Sequence, residues 1–319
     1  MKTLWDKTNI GNMELKNRFF RGALWEDLAD EKGHMTPELS YIYEELAKGG
    51  VGTIITGYSF VTRDEQPNPG MMGIYDDSFI DEYKKNTDKI HSLGANIIMQ
   101  IVYGGFMTTF NVGERTIGGP STMQNEVTGT WAKEITKDEI KYLVNAYAQA
   151  ALRIKKSGFN GVEIHGGHGY LLSQFLSPYY NKRRDEYGGN IENRGRIIFE
   201  IYEAIREKVG KDFPILIKLN SADYVKEGGL TQEDSLYVAK KLADLGISAI
   251  EVTGGNRHLD VMEDILKNTK IQYFTLSRPL TAEPDLINKW CSGDKKKVKC
   301  VSCNQCYSTP GKRCIFSFS

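Results

Sequence analysis

Short apolar runs rich in β-branched residues alternate along this chain with longer amphipathic stretches. Each run has the length and composition of a strand that is covered on both faces. Three of the intervening stretches begin with a capping hydroxyl and early acidic residues, at Thr36, Thr136 and Thr231, as helices do. This alternation predicts an α/β fold with a parallel sheet and crossover helices. The predicted strands are 19–25, 51–56, 96–102, 161–165, 215–219, 249–253 and 272–276.

The number of predicted strands is one short of a closed barrel. The length of 319 residues suits a (β/α)8 TIM barrel, but the turn after the sixth strand, at Gly254, leads straight into a helix. Either a strand–helix unit is missing from the sequence near Gly254, or the protein has lost one. We favour the first, because an open barrel would expose strand edges. We therefore predict a barrel over residues 1–290 and a cysteine-containing C-terminal extension over 291–319.

Charge and composition exclude several classes of partner. Lys plus Arg and Asp plus Glu each number 41, so no net field attracts nucleic acid or an anionic membrane. No apolar run is long enough to cross a bilayer or to act as a signal peptide. The five cysteines all lie between Cys291 and Cys314, which does not suit a disulfide framework. We expect a cytoplasmic protein without nucleic-acid or membrane partners.

The largest group of candidate catalytic side chains follows the fourth predicted strand, where a buried run leads directly into a glycine-rich turn. His165, His168 and Tyr170 lie in this turn. At the carboxyl end of a barrel strand, two N–H donors can hold a substrate carbonyl and polarise the alkene conjugated to it. Tyr170 could then supply a proton. From the spacing alone, the histidine pair could equally bind a metal or cap the strand.

A longer signature surrounds these residues. The chain reads HGGHGYLLSQFLSP from His165 and NKRRDEYGGNIENR from Asn181. It resembles the old yellow enzyme family of NADH:flavin oxidoreductases, as a single-domain relative of 2,4-dienoyl-CoA reductase. The resemblance runs from Leu15 to Leu280. It implies a barrel that binds FMN and an ene-reductase that reduces carbonyl-conjugated C=C bonds with NAD(P)H. His165 and His168 would then hold the substrate oxygen, and Tyr170 would be the proton donor.

The same resemblance implies a flavin site at the barrel mouth. Gln100 would bind the pyrimidine edge of the flavin, Lys218 would stabilise the reduced flavin, and two late turns would cradle its phosphate. Trp25 departs from the family, which often has Thr or Cys there. Substrate preference does not carry over, because many members have His and Arg where this chain has Tyr103 and Phe106. The implied cofactor residues are Ala23, Leu24, Trp25, Gly57, Tyr58, Gln100, His165, Lys218, Gly254, Gly255, Asn256, Ser277 and Arg278.

Four cysteines form a closely spaced C-terminal group: Cys300, Cys303, Cys306 and Cys314. Such thiolates can converge on a soft metal ion, and the run resembles the cluster-binding segment of dienoyl-CoA reductase-type enzymes. The later spacings are shorter than in those enzymes, so an iron–sulfur or zinc site is an alternative that we do not favour.

Two other functions remain open. One is a flavin dehydrogenase of amine or acyl-thioester substrates that uses a Cys-ligated cluster. The other is a non-catalytic flavin redox protein. For the favoured ene-reductase, the expected partners are an enone-like small molecule and a nicotinamide dinucleotide. A homo-oligomer is compatible with the family.

Overall fold

The computed structural model describes residues 2–223, 225, 227–252 and 258–317. Within them, seven parallel strands curl into a barrel wall in the order β6-β5-β4-β3-β2-β1-β7. A two-residue strand, Ser59–Phe60, also pairs with β3. The barrel strands are β1 (Phe19–Arg21), β2 (Thr53–Ile55), β3 (Asn96–Val102), β4 (Gly161–Gly166), β5 (Ile215–Leu219), β6 (Ala249–Val252) and β7 (Phe274–Leu276).

Amphipathic helices cover the outside of this wall, and their buried faces form one continuous apolar core with the strands. The predicted helix starts are confirmed. Thr36 accepts a hydrogen bond from the Leu39 N–H, and Thr136 and Thr231 each close a capping box. The helices are α1 (Pro37–Lys48), α2 (Phe79–Ser92), α3 (Lys137–Lys156), α4 (Leu171–Leu176), α5 (Ile191–Val209), α6 (Gln232–Asp244), α7 (Leu259–Asn268), α8 (Arg278–Ala282) and α9 (Leu286–Cys291).

The barrel wall is open along one side. In the part of the chain that the structure describes, β6 pairs with β5 and β7 pairs with β1, but β6 and β7 do not pair with each other. Among the described residues between β6 and β7, α7 is the one helix or strand. The prediction of a TIM barrel that lacks one strand–helix unit near Gly254 is therefore confirmed.

Two small β structures were not predicted. An antiparallel hairpin, Thr8–Ile10 with Met13–Leu15, packs apolar side chains against the interior of the barrel. The segment after β3, which the sequence suggests is irregular, contains a sheet of Ile117–Gly119, Met123–Gln124 and Trp131–Glu134. These strands have two to four residues, so they are too short to show an alternating pattern.

The C-terminal segment folds back onto the carboxyl end of the barrel. Its residues form three 3-10 turns, Gln305–Ser308, Pro310–Lys312 and Ile315–Ser317. The Lys312 ammonium group lies 3.1 Å from Asp27 Oδ2 and 4.1 Å from the centroid of the Trp25 ring. Among the described residues, no helix combines the length and apolar character needed to cross a membrane.

Candidate active site

A cavity of about 770 Å³ opens at the carboxyl ends of the strands. Six of the residues implied for the site line it directly, and they come from the segment after β1, the turn after β4, β5 and the start of α8. The apolar side chains of the open side, between β6 and β7, continue its wall. The six predicted lining residues are Ala23, Leu24, His168, Lys218, Ser277 and Arg278.

Four aromatic rings meet where β4 ends. The ring centroid of His165 lies 5.1 Å from that of His168, 4.9 Å from that of Tyr170 and 5.8 Å from that of Tyr58. The Tyr58 and Tyr170 centroids are 5.3 Å apart. The three residues proposed for catalysis are therefore grouped at the barrel mouth, and Tyr58 lies beside them.

Both histidines are neutral at ordinary pH. Burial, followed by the nearby His168 and Lys218 charges, lowers the pKa of His165 well below its usual value. His168 is exposed to the cavity and to solvent by its surface area, but loss of hydration beside the surrounding protein groups and then the Lys218 charge lower its pKa to about 4. The Gly167 N–H donates to His165 Nδ1 at 3.3 Å. His165 therefore carries its hydrogen on Nε2, which is free to donate to a ligand.

His168 adopts a left-handed backbone conformation, with φ of 57°, which is uncommon for residues other than glycine. Its N–H donates to Asn220 Oδ1 at 3.0 Å, which supports this conformation. A Cβ on the neighbouring Gly167 would lie 2.9 Å from the same Asn220 oxygen. Asn220 therefore helps to position His168. This role was not predicted from the sequence, although Asn220 directly follows β5.

Tyr170 is buried, and its hydroxyl is held as an acceptor. Asn68 Nδ2 donates to Tyr170 Oη at 3.5 Å and to Tyr58 Oη at 3.4 Å. The Tyr58 hydroxyl also donates to Tyr170. Burial raises the pKa of Tyr170, and the two donated hydrogen bonds oppose that rise. The phenol stays protonated at neutral pH, while its own hydrogen remains available to a ligand. Asn68 was not predicted.

Polar groups lie beneath the cavity, inside the barrel. Gln100 is fully buried and donates its Nε2 to Glu163, while its Oε1 has no partner among the described residues. Lys218 Nζ lies 3.1 Å from Glu251 Oε1. The Gln100 amide oxygen can accept a hydrogen bond from a ligand, and the Lys218 ammonium can contact an electron-rich edge of the same ligand.

Two implied cofactor residues shape the mouth without lining the cavity. The Trp25 indole N–H donates to the Pro69 carbonyl at 2.9 Å, so its ring is directed toward the loop after β2. A Cβ at Gly57 would lie 2.2 Å from Glu26 Oε2 and 2.8 Å from the Leu24 carbonyl oxygen, so only glycine allows this close approach. Gly254, Gly255 and Asn256, predicted for the phosphate, lie outside the described residues.

The cysteine segment contributes to the same cavity. Asn304 and Tyr307 line it, and Arg278 donates a hydrogen bond to Asn304 Oδ1. Sequence analysis did not predict either residue, because they are separated from β1 by almost the whole chain. Cys300, Cys306 and Cys314 are buried and Cys303 is exposed. Among the described residues, no group of three or more His, Cys, Asp or Glu side chains is arranged to hold a metal ion.

A buried carboxyl group joins the two loops above the β2 and β3 ends. Glu65, which is 1% exposed, accepts hydrogen bonds from the Gly104 N–H at 3.0 Å and from the Thr108 hydroxyl. Burial raises the pKa of Glu65 to about 7, although both hydrogen bonds oppose the rise. Glu65 is therefore about half protonated at neutral pH in the folded protein.

The raised pKa predicts a pH-dependent stability. The folded state binds the Glu65 proton more tightly than the unfolded chain, so the free energy of unfolding falls as the pH rises from the unfolded pKa toward about 7. The loss from this group is at most about 1.4 kcal/mol per pH unit. We expect Glu65→Gln, measured by urea unfolding at several pH values, to remove this slope. An unchanged slope in Glu65→Gln would contradict the assignment, and Glu114→Gln, which alters an exposed carboxylate, is the control.

The barrel fold and the polar groups at its mouth agree with the family that the sequence resembles. The chain belongs to the NADH:flavin oxidoreductase / NADH oxidase family, whose model matches residues 3–255. It is 30% identical to NADH oxidase of Thermoanaerobacter brockii over 343 aligned positions, which take in 94% of this chain and 52% of that protein. The chain therefore spans about half the length of this relative. The alignment is also longer than the chain itself, so the relative contains segments that this chain lacks.

Two solved structures share the fold. A 2-naphthoyl-CoA reductase complex superposes with a TM-score of 0.88 at 28% identity, covering 95% of this chain and 54% of that one. An old yellow enzyme homologue from Zymomonas mobilis has a TM-score of 0.85 at 22% identity, covering 94% and 95%. The family match ends at residue 255, between β6 and α7 in the sequence.

FMN, the cofactor of this family, fits the residues that are present. The cavity of about 770 Å³ is within the usual size range of ligand sites. The unpartnered Gln100 Oε1 and the Lys218 ammonium lie under it, and Arg278 provides a cation at its rim. The flavin pyrimidine edge would lie over Gln100 and Lys218, and the phosphate would lie near Ser277 and Arg278.

Proposed function

We propose that this protein is an FMN-dependent ene-reductase that uses NAD(P)H to reduce C=C bonds conjugated to a carbonyl group. The supporting observation is the convergence of His165, His168 and Tyr170 beside the cavity, with ring centroids about 5 Å apart. A protein that only carried a flavin would not need three such groups facing a ligand. A reductase needs both an anchor for the carbonyl and a source of a proton.

Each side chain has a distinct proposed role. The Nε2–H of His165 and the ring of His168 hold the substrate oxygen and stabilise the negative charge that develops on it. When bound, FMN supplies a hydride to the β-carbon. Tyr170 donates its proton to the α-carbon, and Asn68 and Tyr58 stabilise the tyrosinate that remains, because both donate to its oxygen.

A second candidate substrate class is an unsaturated or aromatic acyl thioester. It is supported by the similarity to the 2-naphthoyl-CoA reductase and by the grouping of four cysteines, since Cys300, Cys303 and Cys314 all act on the pKa of Cys306. A dehydrogenase version of this function would need a metal cluster at these cysteines to remove electrons. The carbonyl anchor would be the same for both substrate classes.

The test is an anaerobic absorbance experiment on the purified protein. We expect flavin bands that bleach with NADH or NADPH and return when cyclohexenone is added. Return with an unsaturated acyl-CoA but not with cyclohexenone would favour the thioester candidate. A broad iron–sulfur absorbance would favour the dehydrogenase, and protein that binds no flavin would exclude all of these proposals.

A further inference from the structure

Two glutamates lie close together inside the barrel, in the lining of the cavity described above. Glu163 on β4 is fully buried, and Glu251 on β6 is partly buried. The two carboxyl groups lie within hydrogen-bonding reach of each other. Both border the cavity, as does Lys218 between them on β5. The ammonium of Lys218 is 3.1 Å from Glu251 Oε1, and the Gln100 amide donates to Glu163 Oε2.

The two carboxyl groups together lack a hydrogen-bond donor. Glu163 Oε1 and Glu251 Oε2 are buried and have no donor among the described residues. Two ionised carboxylates within hydrogen-bonding reach of each other would repel strongly in a buried site. One proton shared between the two carboxyl groups removes the repulsion and supplies the missing donor. It also leaves one negative charge, which the charge of Lys218 balances.

We infer that Glu163 and Glu251 share a single proton, and that this proton keeps the floor of the cofactor cavity electrically neutral. The pair acts as a set of positioning residues, because it holds the Lys218 ammonium and the Gln100 amide, the two groups proposed to contact the flavin. The second part of this inference, the effect on a bound cofactor, rests on the proposed function, because it takes the ligand in the cavity to be FMN. The shared proton itself is a property of the protein without cofactor.

The surrounding charged groups agree with this assignment. From β5 the pair faces Lys218, and from β3 it faces the neutral amide of Gln100. His165, two residues beyond Glu163 on β4, is kept neutral by burial. Arg21 on β1 is already paired with Glu26. Burial and the neighbouring Glu251 raise the pKa of Glu163 well above its usual value, and Lys218 opposes that rise more weakly.

The shared proton has a consequence for a bound flavin. With one proton on the pair, the floor carries no net charge, and Lys218 remains hydrogen-bonded to the Glu251 carboxylate. With both carboxylates ionised, the floor would be negative and would oppose the negative charge of a reduced flavin. Replacing either glutamate with glutamine keeps the shape and leaves one ionised carboxylate, which is the same net charge as in the wild-type pair.

The first test uses the protein without FMN. Infrared spectra at neutral pH, in H₂O and D₂O, are recorded in a Glu65→Gln background, because the Glu65 carboxyl group is itself about half protonated at that pH. With the pair intact, this background should show the carbonyl stretch of a protonated carboxylic acid. The band should be lost when either Glu163→Gln or Glu251→Gln is added. It should remain when Glu44→Gln is added, which alters a buried carboxylate on α1 that is paired with Lys89. Absence of the band from the background protein, or its survival in either pair variant, overturns the inference.

The second test uses FMN-loaded protein and measures the flavin midpoint potential at neutral pH. If one proton is shared, each single glutamine variant should keep the wild-type ratio of affinities for reduced and oxidised FMN. If both glutamates are ionised, each variant should favour reduced FMN by about tenfold for every pKa unit of interaction removed. That shift would overturn the inference. Protein that binds no FMN would contradict the proposed function but leave the infrared result intact.

Discussion

Tyr170→Phe should lower the rate of alkene reduction by roughly 10²- to 10⁴-fold, the usual contribution of a positioned general acid. The phenylalanine ring fills the same space beside His165 and Tyr58 but has no proton to give. FMN binding and flavin reduction by NAD(P)H should stay close to wild type, because Tyr170 does not line the cofactor cavity. Stopped-flow measurement of the two half-reactions separates these effects.

The matched control is Tyr58→Phe. Tyr58 donates to the oxygen of Tyr170, so its loss removes a stabilising hydrogen bond but not the proton donor, and the expected loss of rate is much smaller. Equal losses in the two variants, or an unchanged oxidative half-reaction in Tyr170→Phe, would show that the proton comes from another group. A loss confined to flavin reduction would instead place Tyr170 in the nicotinamide site.

Arg21→Met should lower the free energy of unfolding by about 3–5 kcal/mol, the usual cost of leaving a buried charge without its partner. Arg21 is 2% exposed and Glu26 is 5% exposed. One guanidinium nitrogen donates to Glu26 and another to the Ile55 carbonyl at 2.9 Å. Burial already raises the pKa of Glu26 against the effect of Arg21, so the unpaired carboxyl group would take up a proton. Urea unfolding at neutral pH measures the loss.

The control for this prediction is Arg63→Met. Arg63 makes a comparable contact with Asp76, but its side chain is 74% exposed, so its removal should cost no more than about 1 kcal/mol. A loss of similar size in the two variants would mean that burial does not determine the strength of the pair. The difference between them should shrink at acidic pH, where Glu26 is protonated in both folded proteins.

The strands and helix starts of this chain could be predicted from local signals. A strand buried on both faces leaves an apolar run, and a capping threonine followed by an acidic residue marks a helix start. The first strand was predicted too long. It ends at Arg21, and the next residue, Gly22, still donates its N–H to the Leu276 carbonyl of β7 at 3.1 Å, where a Cβ would meet Thr275 Cγ2 at 2.3 Å. Contacts between strands that are far apart in sequence do not appear in a local pattern.

The site residues also fall into two groups, those that a local motif shows and those that come from distant parts of the chain. One stretch of six residues contains His165, His168 and Tyr170, so a single motif shows all three. Asn68 and Asn220 support them from other loops, about a hundred and about fifty residues away along the chain, and no spacing rule connects these positions. Glu163 and Glu251 were also missed, because a single acidic residue within an apolar run does not show which polar groups face it across the barrel.

The pairing of β7 with β1 also determines the order in which the protein assembles. The cavity takes its walls from Leu24 near the start of the chain and from Arg278 and Tyr307 near its end. During synthesis all of these residues must leave the ribosome before the cavity is complete. A nascent chain that is shorter than this therefore has no flavin site of this shape.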